Sequence, residues 1–330
     1  MVPPCPTSTS TSRCASRPSA SPPYVESPAA EAAIRTYLTP HHTTGSVRVH
    51  RRAGRVSAVA AWRFVPDSWF GAPSWNVAID HDVDVPADEV EAWLLDTLGP
   101  VLPTLDAELD VLVPASYPPV LAALRRLGLG IDSVQLVGEV DRALALLDDA
   151  PLPSGLRIAP MREDDLPQVF AMLERTFVEE PEHGWFCALP KFIASQREEL
   201  ETAARDPEAL QLVVREGETV VGHVGASIDV ANPFWGPATS LGLCFAPPIR
   251  GRGVLRPFYR AFLEGLRARG VRVFRGGTSR PAVMHLGRVM DRTLQGVNLR
   301  RGAPFPPSHF AATLEAHDVS LAHAALRPVA

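Results

Sequence analysis

Phe245-Ala246-Pro247-Pro248-Ile249-Arg250-Gly251-Arg252-Gly253-Val254-Leu255 joins two segments of different periodicity. Before it, Leu241 to Ala246 is a short apolar run of the kind that forms a buried strand. After it, Leu255, Phe258, Tyr259, Phe262, Leu263 and Leu266 recur at helical spacing and make one apolar face. Pro247-Pro248 stops the strand. Gly270 stands where a glycine ends a helix, and Arg267 and Arg269 suit the negative C-terminal end of the helix dipole.

A strand, a glycine-interrupted turn and a helix N-terminus make an anion site. The first helical N–H groups have no partner within the helix and carry partial positive charge. Gly251 and Gly253 let backbone approach a phosphate closely, and Arg250 and Arg252 supply charge-assisted hydrogen bonds. On these residues alone, an ordinary glycine-rich turn with two solvated arginines is an equal alternative. A Walker loop is excluded because no Gly-Lys-Ser/Thr follows. A dinucleotide fingerprint is excluded because no third glycine follows Gly253 at the required spacing.

The whole chain sets the frame. Its 330 residues suffice for two domains, and 46% apolar residues suffice for a sizeable core. A formal net charge of -5 argues against a nucleic-acid surface. No apolar run reaches membrane-spanning length. Cys5, Cys14, Cys187 and Cys244 form no Cys-x-x-Cys pair or Cys/His cluster, so neither a metal nor a disulfide framework is expected, and a reduced, cytoplasmic protein is. Residues 1–28, rich in Ser, Thr, Pro and Ala, read as a disordered tail.

The remaining elements come in two similar series. Residues 29–148 read as a short helix (Ala32–Leu38), a hairpin (Val47–His50 and Val56–Phe64) and a strand (Ser74–Ile79). A helix (Ala87–Leu98), a strand (Leu109–Val113), a helix (Pro118–Leu127) and a strand (Val134–Val140) follow. Residues 149–154 read as a Pro- and acid-rich linker. Residues 155–303 then repeat the order. A strand (Leu156–Pro160) leads to a helix capped by Asp164, a helix (Lys191–Ala204) and a hairpin (Leu210–Val214 and Thr219–Ile228). The Leu241 strand, the anion loop and its helix come next, then a strand (Val271–Phe274), a helix (Ala282–Met290) and a strand (Leu294–Leu299). Residues 304–330 are a C-terminal extension with no assigned place.

Pro248-Ile249-Arg250-Gly251-Arg252-Gly253-Val254 resembles the acyl-CoA pyrophosphate loop of the GNAT superfamily of N-acetyltransferases, whose pattern is Arg/Gln-x-x-Gly-x-Gly/Ala. Arg250 and Gly253 match, and Leu255 stands where the pattern has Gly or Ala. Tyr117-Pro118-Pro119 to Leu127-Gly128-Leu129 opens and closes like the Asn-Pro-x-Ala…Leu-Gly-Phe helix of GNAT domains, and Arg280-Pro281-Ala282 resembles the opening of the matching helix in the second half. The resemblance implies an α/β fold of two tandem GNAT-type domains, each a mixed, mostly antiparallel sheet flanked by helices. In the first half His81-Asp82-Val83-Asp84-Val85-Pro86-Ala87-Asp88 occupies the loop position, with no glycine and three aspartates that repel a pyrophosphate. That half is expected to keep the fold without the cofactor.

The resemblance also implies a reaction: transfer of an acyl group, most simply acetyl from acetyl-CoA, to an amine of a small molecule or to an amino terminus. Arg250, Gly251, Arg252, Gly253, Val254 and Leu255 are then the cofactor cradle. Phe245 or Ala246 supplies the N–H that polarises the thioester carbonyl, because Pro247 and Pro248 have none. The tyrosine that many GNAT domains use as general acid falls at Gly287, which leaves His285 as the nearest titratable side chain. Glu180 and Asp229 are the further catalytic candidates, with His223 and Glu179 beside them. The alternative is a non-catalytic, acyl-CoA-binding protein of the same fold. Neither the acceptor nor the oligomeric state follows from the residues.

Overall fold

The computed structural model describes residues 46–301 apart from 69–72, 83, 115–117, 180–186, 188, 229–237, 279, 281–282, 284–285 and 288. Its eleven strands are β1 Val47–Arg52, β2 Arg55–Val65, β3 Ser74–His81, β4 Glu108–Pro114, β5 Gly130–Glu139, β6 Leu156–Pro160, β7 Leu210–Glu216, β8 Thr219–Ile228, β9 Ala238–Phe245, β10 Val273–Thr278 and β11 Thr293–Arg301. The α-helices are α1 Ala87–Leu98, α2 Pro118–Arg126, α3 Val140–Leu146, α4 Leu166–Glu179, α5 Pro190–Arg205 and α6 Leu255–Ala268. The expected helices at Ala32–Leu38 and in residues 304–330 lie outside the described residues, and that at Ala282–Met290 lies partly outside them.

The local signals act as their chemistry requires. The Arg52–Arg55 hairpin turns on Ala53 (φ 49°) and Gly54 (φ 80°), two left-handed residues whose twist matches that of the strands. Helix α6 buries Phe258, Tyr259, Phe262, Leu263 and Leu266, the face foreseen from their spacing. It ends in a Schellman motif: Gly270 has φ 74°, its N–H donates to the Arg267 carbonyl (3.0 Å), and the Val271 N–H donates to the Leu266 carbonyl (3.1 Å). Helix α4 departs from expectation. The capping carboxylate is Asp165 rather than Asp164, and it accepts the Arg162 N–H at 2.8 Å from a short 3₁₀ turn. Helix α3 was not foreseen, since Val140 reads as the end of a strand. Val140, Ala143 and Leu144 in fact turn inward against the α6 core.

All eleven strands form one sheet, in the order β1-β2-β3-β4-β11-β5-β10-β9-β8-β7-β6. Each half has exchanged its last strand with the other. β5 ends the first half and pairs antiparallel with β10 of the second; β11 ends the second half and pairs antiparallel with β4 of the first. β5 and β11 pair with each other at the centre. The order therefore reads alike outward from this pair on both sides, with β6 added at one edge. The repeat visible in the sequence appears as internal symmetry of a shared sheet.

Helices α1 and α2 cover one face of the first half around Leu94, Leu98, Leu109, Val111 and Leu124. Helix α6 covers the same face of the second half around Val224, Phe262 and Phe274. Helices α4 and α5 pack on the other face of the second half, around Val169, Leu173, Leu200, Val213 and Cys244. The end of the first half, just before the linker, is fastened to α6: Arg256 donates to both carboxylate oxygens of Asp148 (2.7 and 2.6 Å), and Arg260 to the Leu147 carbonyl (2.9 Å).

Under α4, Asp165 and Arg215 form an ion pair with each side chain only 2% exposed. Removing one member leaves the other charged and desolvated. Asp165→Ala is therefore expected to cost about 3–5 kcal/mol, measured as a lower urea midpoint at unchanged slope. A loss below about 1 kcal/mol would mean that water reaches Arg215.

Candidate functional site

The site is built where β9 parts from β10. Among the described residues these parallel strands pair only at Ala238–Phe274 and Thr239–Arg275, and beyond that they diverge. The cause lies in β9. Its register with β8 slips between Val224 and Ala226, and Gly242 takes φ 78° within the bulge. A bulge bends its strand and increases its local twist. Gly242 is needed because a left-handed φ is strained for other residues.

The divergence leaves one edge of β9 open. The Ala246 N–H donates to the Val221 carbonyl at 2.8 Å, so it belongs to the β8 ladder. Antiparallel alternation then turns the N–H groups of Leu243 and Phe245 away from β8 and toward the cleft. Of the two polarising N–H groups expected from the sequence, Phe245 faces the cleft and Ala246 does not. Its inward-facing N–H is a geometric disqualification, and Leu243 joins Phe245 as a candidate that sequence reasoning missed.

The loop follows through a 3₁₀ turn, Pro247–Ile249. Gly251 (φ 75°) and Gly253 (φ 80°) are both left-handed, and a Cβ at either would meet nothing within 4 Å. Conformation, not crowding by the protein, demands glycine there. Arg250 donates through Nε to the Phe245 carbonyl (2.9 Å) and ties the loop back to the strand end. Arg252 donates to Glu216 of the β7–β8 turn at 3.1 Å, a half-exposed pair. Such pairs are worth roughly 0–1 kcal/mol, so a phosphate can compete for the guanidinium. Val254 is buried and caps α6 with no side-chain hydrogen bond, which leaves the first N–H groups open. Leu255, the first helical residue, is half-buried, and Pro257 adds no donor. These residues fit a pyrophosphate: two left-handed glycines, an uncapped helix N-terminus and two cationic side chains.

The first half shows the same frame with the chemistry removed. The Asp82 N–H donates to the Ser57 carbonyl at 2.8 Å, as Ala246 does to Val221. The β3–β4 pairing runs over four residues, Ser74–Val77 against Glu108–Val111, so those strands stay together longer than β9 and β10. Asp82, Asp84 and Asp88 are exposed around the start of α1.

His285, Glu180 and Asp229, the catalytic candidates, lie outside the described residues. Gly287 is described and buried; a Cβ there would stand 2.8 Å from Leu136 Cδ1. A larger side chain at Gly287 would have to displace the end of the Leu136 side chain. Glu179 is exposed, with Arg175 at 3.9 Å. Cys187 and Cys244 are buried. Among the described residues no group of three His, Cys, Asp or Glu side chains is placed to hold a metal ion.

His223 is wholly buried, and its Nε2–H donates to Gln211 Oε1 at 2.7 Å. Burial alone lowers its pKa to about 4, so the ring is neutral in the folded protein. A base that weak does not suit an ammonium acceptor. The unfolded chain binds this proton below about pH 6.5, and the folded chain does so only below about 4. Stability is therefore expected to fall as pH drops from 6.5 to 4, by roughly 3 kcal/mol in all. His223→Gln should flatten that part of the curve in urea titrations; an unchanged slope would show that His223 charges freely in the folded state.

The chain matches no family model. It is 33% identical over 124 residues to a mycothiol acetyltransferase of Propionibacterium freudenreichii subsp. shermanii, a stretch covering 37% of this chain and 38% of that relative. A GCN5-related N-acetyltransferase from Sphaerobacter thermophilus superposes with a TM-score of 0.54 at 16% identity, over 82% of this chain and 85% of that one. A tandem GNAT protein from the clavulanic acid biosynthesis pathway superposes more loosely, at a TM-score of 0.46 and 16% identity over 79% and 85% of the two chains. The fold assignment rests on the Sphaerobacter likeness and on the parted strands and glycine loop described above. This chain has the fold of the GCN5-related N-acetyltransferases, the GNAT superfamily.

Proposed function

We propose that the protein is an acyl-CoA-dependent N-acyltransferase that transfers an acetyl group from acetyl-CoA to an amine, either of a small molecule or of an amino terminus. The observation that carries this reading is the parting of β9 from β10 directly before a left-handed glycine loop at an uncapped helix. Two units are part of the reading, residues 29–148 and 155–303, with the cofactor held by the second. Four scattered cysteines with no Cys-x-x-Cys spacing suit a reduced, cytoplasmic setting. Among the described residues no helix is long and apolar enough to cross a membrane.

Acetyl-CoA supplies the acyl group as a thioester. The chain's own residues hold and orient it: Gly251, Gly253 and the first N–H groups of α6 receive the pyrophosphate, with Arg250 and Arg252 at its edge. The Phe245 N–H faces the place where negative charge develops on the carbonyl oxygen. The reaction forms an N–C bond and breaks the C–S bond; the amine gives up a proton and the departing thiolate takes one. Proton acceptor and donor are assigned, as part of this proposal, among His285, Glu180 and Asp229.

One observation favours a second reading, a non-catalytic acyl-CoA-binding protein: Gly287 stands where the resemblance puts the family's tyrosine, and any side chain there would have to displace the end of Leu136. Thiol release from acetyl-CoA across a panel of amines separates the two. The first reading expects turnover with at least one amine. Tight CoA binding with turnover on none supports the second.

A further inference from the structure

The two faces of the central sheet differ in chemistry. One face is apolar: Leu109 and Val111 of β4, Val297 and Leu299 of β11, Val134 and Leu136 of β5, and Phe274 of β10. The alternate residues of the same strands face the other side, the side on which α4 and α5 pack. There the strand pairings set Asp110 of β4 beside Arg300 of β11, Asn298 of β11 beside Ser133 of β5, and Gln135 of β5 beside Gly277 of β10. A sheet face buried only for stability carries apolar residues, because each desolvated polar group needs a partner. This face carries amides, a hydroxyl and the charged Asp110, Arg275 and Arg300 across or beside the strands that the two halves exchange.

From this juxtaposition we infer that the exchanged strands form the floor of an acceptor site for a polyhydroxylated amine, of the amino-sugar class. The inference rests on the acyltransferase reading and names its acceptor. Three features support it. Gly277 is exposed and lies on β10 just past the last β9–β10 pair, so the floor begins at the edge of the cleft. The Gln135 amide lies over that glycine, with Nε2 2.9 Å and Oε1 3.3 Å from where a Cβ would stand. Gln135 is only half-buried, and its amide carries both a donor and an acceptor. Asn298 Nδ2 donates to Ser133 Oγ at 2.7 Å, which leaves the Asn298 carbonyl to accept and the Ser133 hydroxyl to donate.

Gln135, Asn298 and Ser133 are neutral groups that both donate and accept, and so match hydroxyls, which do the same. An arylalkylamine such as tyramine, with a single hydroxyl, would leave most of them unpaired, at a cost of about 1–3 kcal/mol for each desolvated group. From Gly277 to Asn298 the floor spans two strand spacings, about 10 Å, the reach of one substituted sugar ring. Neither half completes it alone: Ser133 and Gln135 come from the first, Asn298 and Gly277 from the second.

The test compares D-glucosamine, the tripeptide Ala-Ala-Ala and tyramine as acceptors for acetyl-CoA, using the full chain and its Gln135→Leu and Asn298→Leu variants. The expected result is a kcat/KM for glucosamine at least tenfold above either other amine, lowered at least tenfold by Gln135→Leu, with CoA affinity held within twofold. A preference for the peptide or tyramine overturns the inference, as does a Gln135→Leu chain that folds, binds CoA and keeps its glucosamine kcat/KM. If CoA binds and no amine turns over, the acyltransferase reading fails by itself. Calorimetry of glucosamine against the CoA complex then decides the floor: binding weakened by Gln135→Leu supports it, and no binding overturns it.

Discussion

A chain carrying Arg250→Glu and Gly253→Val together is expected to lose CoA binding altogether, while one carrying Asp84→Ala and Asp88→Ala keeps it. The two loop substitutions remove separate requirements. Gly253 has φ 80°, and a β-branched residue there is forced out of the left-handed region, which moves the N–H groups that open α6. Arg250 ties the loop to the Phe245 carbonyl through Nε and brings positive charge to the phosphate. Losing a charge-assisted hydrogen bond costs about 1.5–3 kcal/mol, and the new carboxylate adds repulsion. The loop is exposed at Arg250, Gly251, Arg252 and Gly253, so the double variant should still melt cooperatively. In the first half the aspartates surround a helix start that has no glycine loop, so trimming two of them should change CoA affinity by less than about threefold, below 1 kcal/mol. Isothermal titration reads both results and the stoichiometry. One CoA per chain fits; two would reveal a second site, and a folded Asp84/Asp88 variant that no longer binds would put the cofactor in the first half.

The loop was legible in the sequence because its signals are local. A proline stop, two glycines and an amphipathic run state strand, turn and helix within a dozen residues, and each behaves accordingly. The α1 boundaries, Ala87 and Leu98, were readable for the same reason. Three features were not legible. The bulge at Gly242 looks like one more glycine in an apolar run until its φ and the slipped register are seen, yet it is what opens the cleft. Which of Phe245 and Ala246 faces that cleft depends on alternation against β8, which no residue type encodes. The strand exchange is the third. β5 and β11 carry ordinary strand patterns, and nothing in Ile131–Leu136 or Val297–Leu299 says whether the partner lies in the same half or the other. The polar alternation Ser133-x-Gln135 and Asn298-x-Arg300 was a usable hint, since it marks one face of a central strand as something other than packing.

Cutting the connector is expected to leave the two pieces bound to each other. With a protease site placed after Pro153, two independent domains would separate on a sizing column once cleaved. In this fold the first piece holds β5, whose two neighbours, β10 and β11, belong to the second, and the second holds β11, lodged between β4 and β5 of the first. Separation would strip Val297 and Leu299, which are 1% and 0% exposed, from a core shared with Leu109, Val111 and Val134. Each such side chain is worth about 1.5–3 kcal/mol in burial, and the ladders on both sides of β11 would lose their partners as well. The first piece ends before Arg256 and Arg260, which hold Asp148 and the Leu147 carbonyl, so those contacts add to the grip. The cleaved chain should therefore elute as one species with a single melting transition, and the first piece expressed alone should not fold. Leu299→Asp sets a charge into that shared core and should release the pieces after cleavage. Clean separation of the unmodified pieces, each folded, would show that the exchanged strands are not what joins the halves.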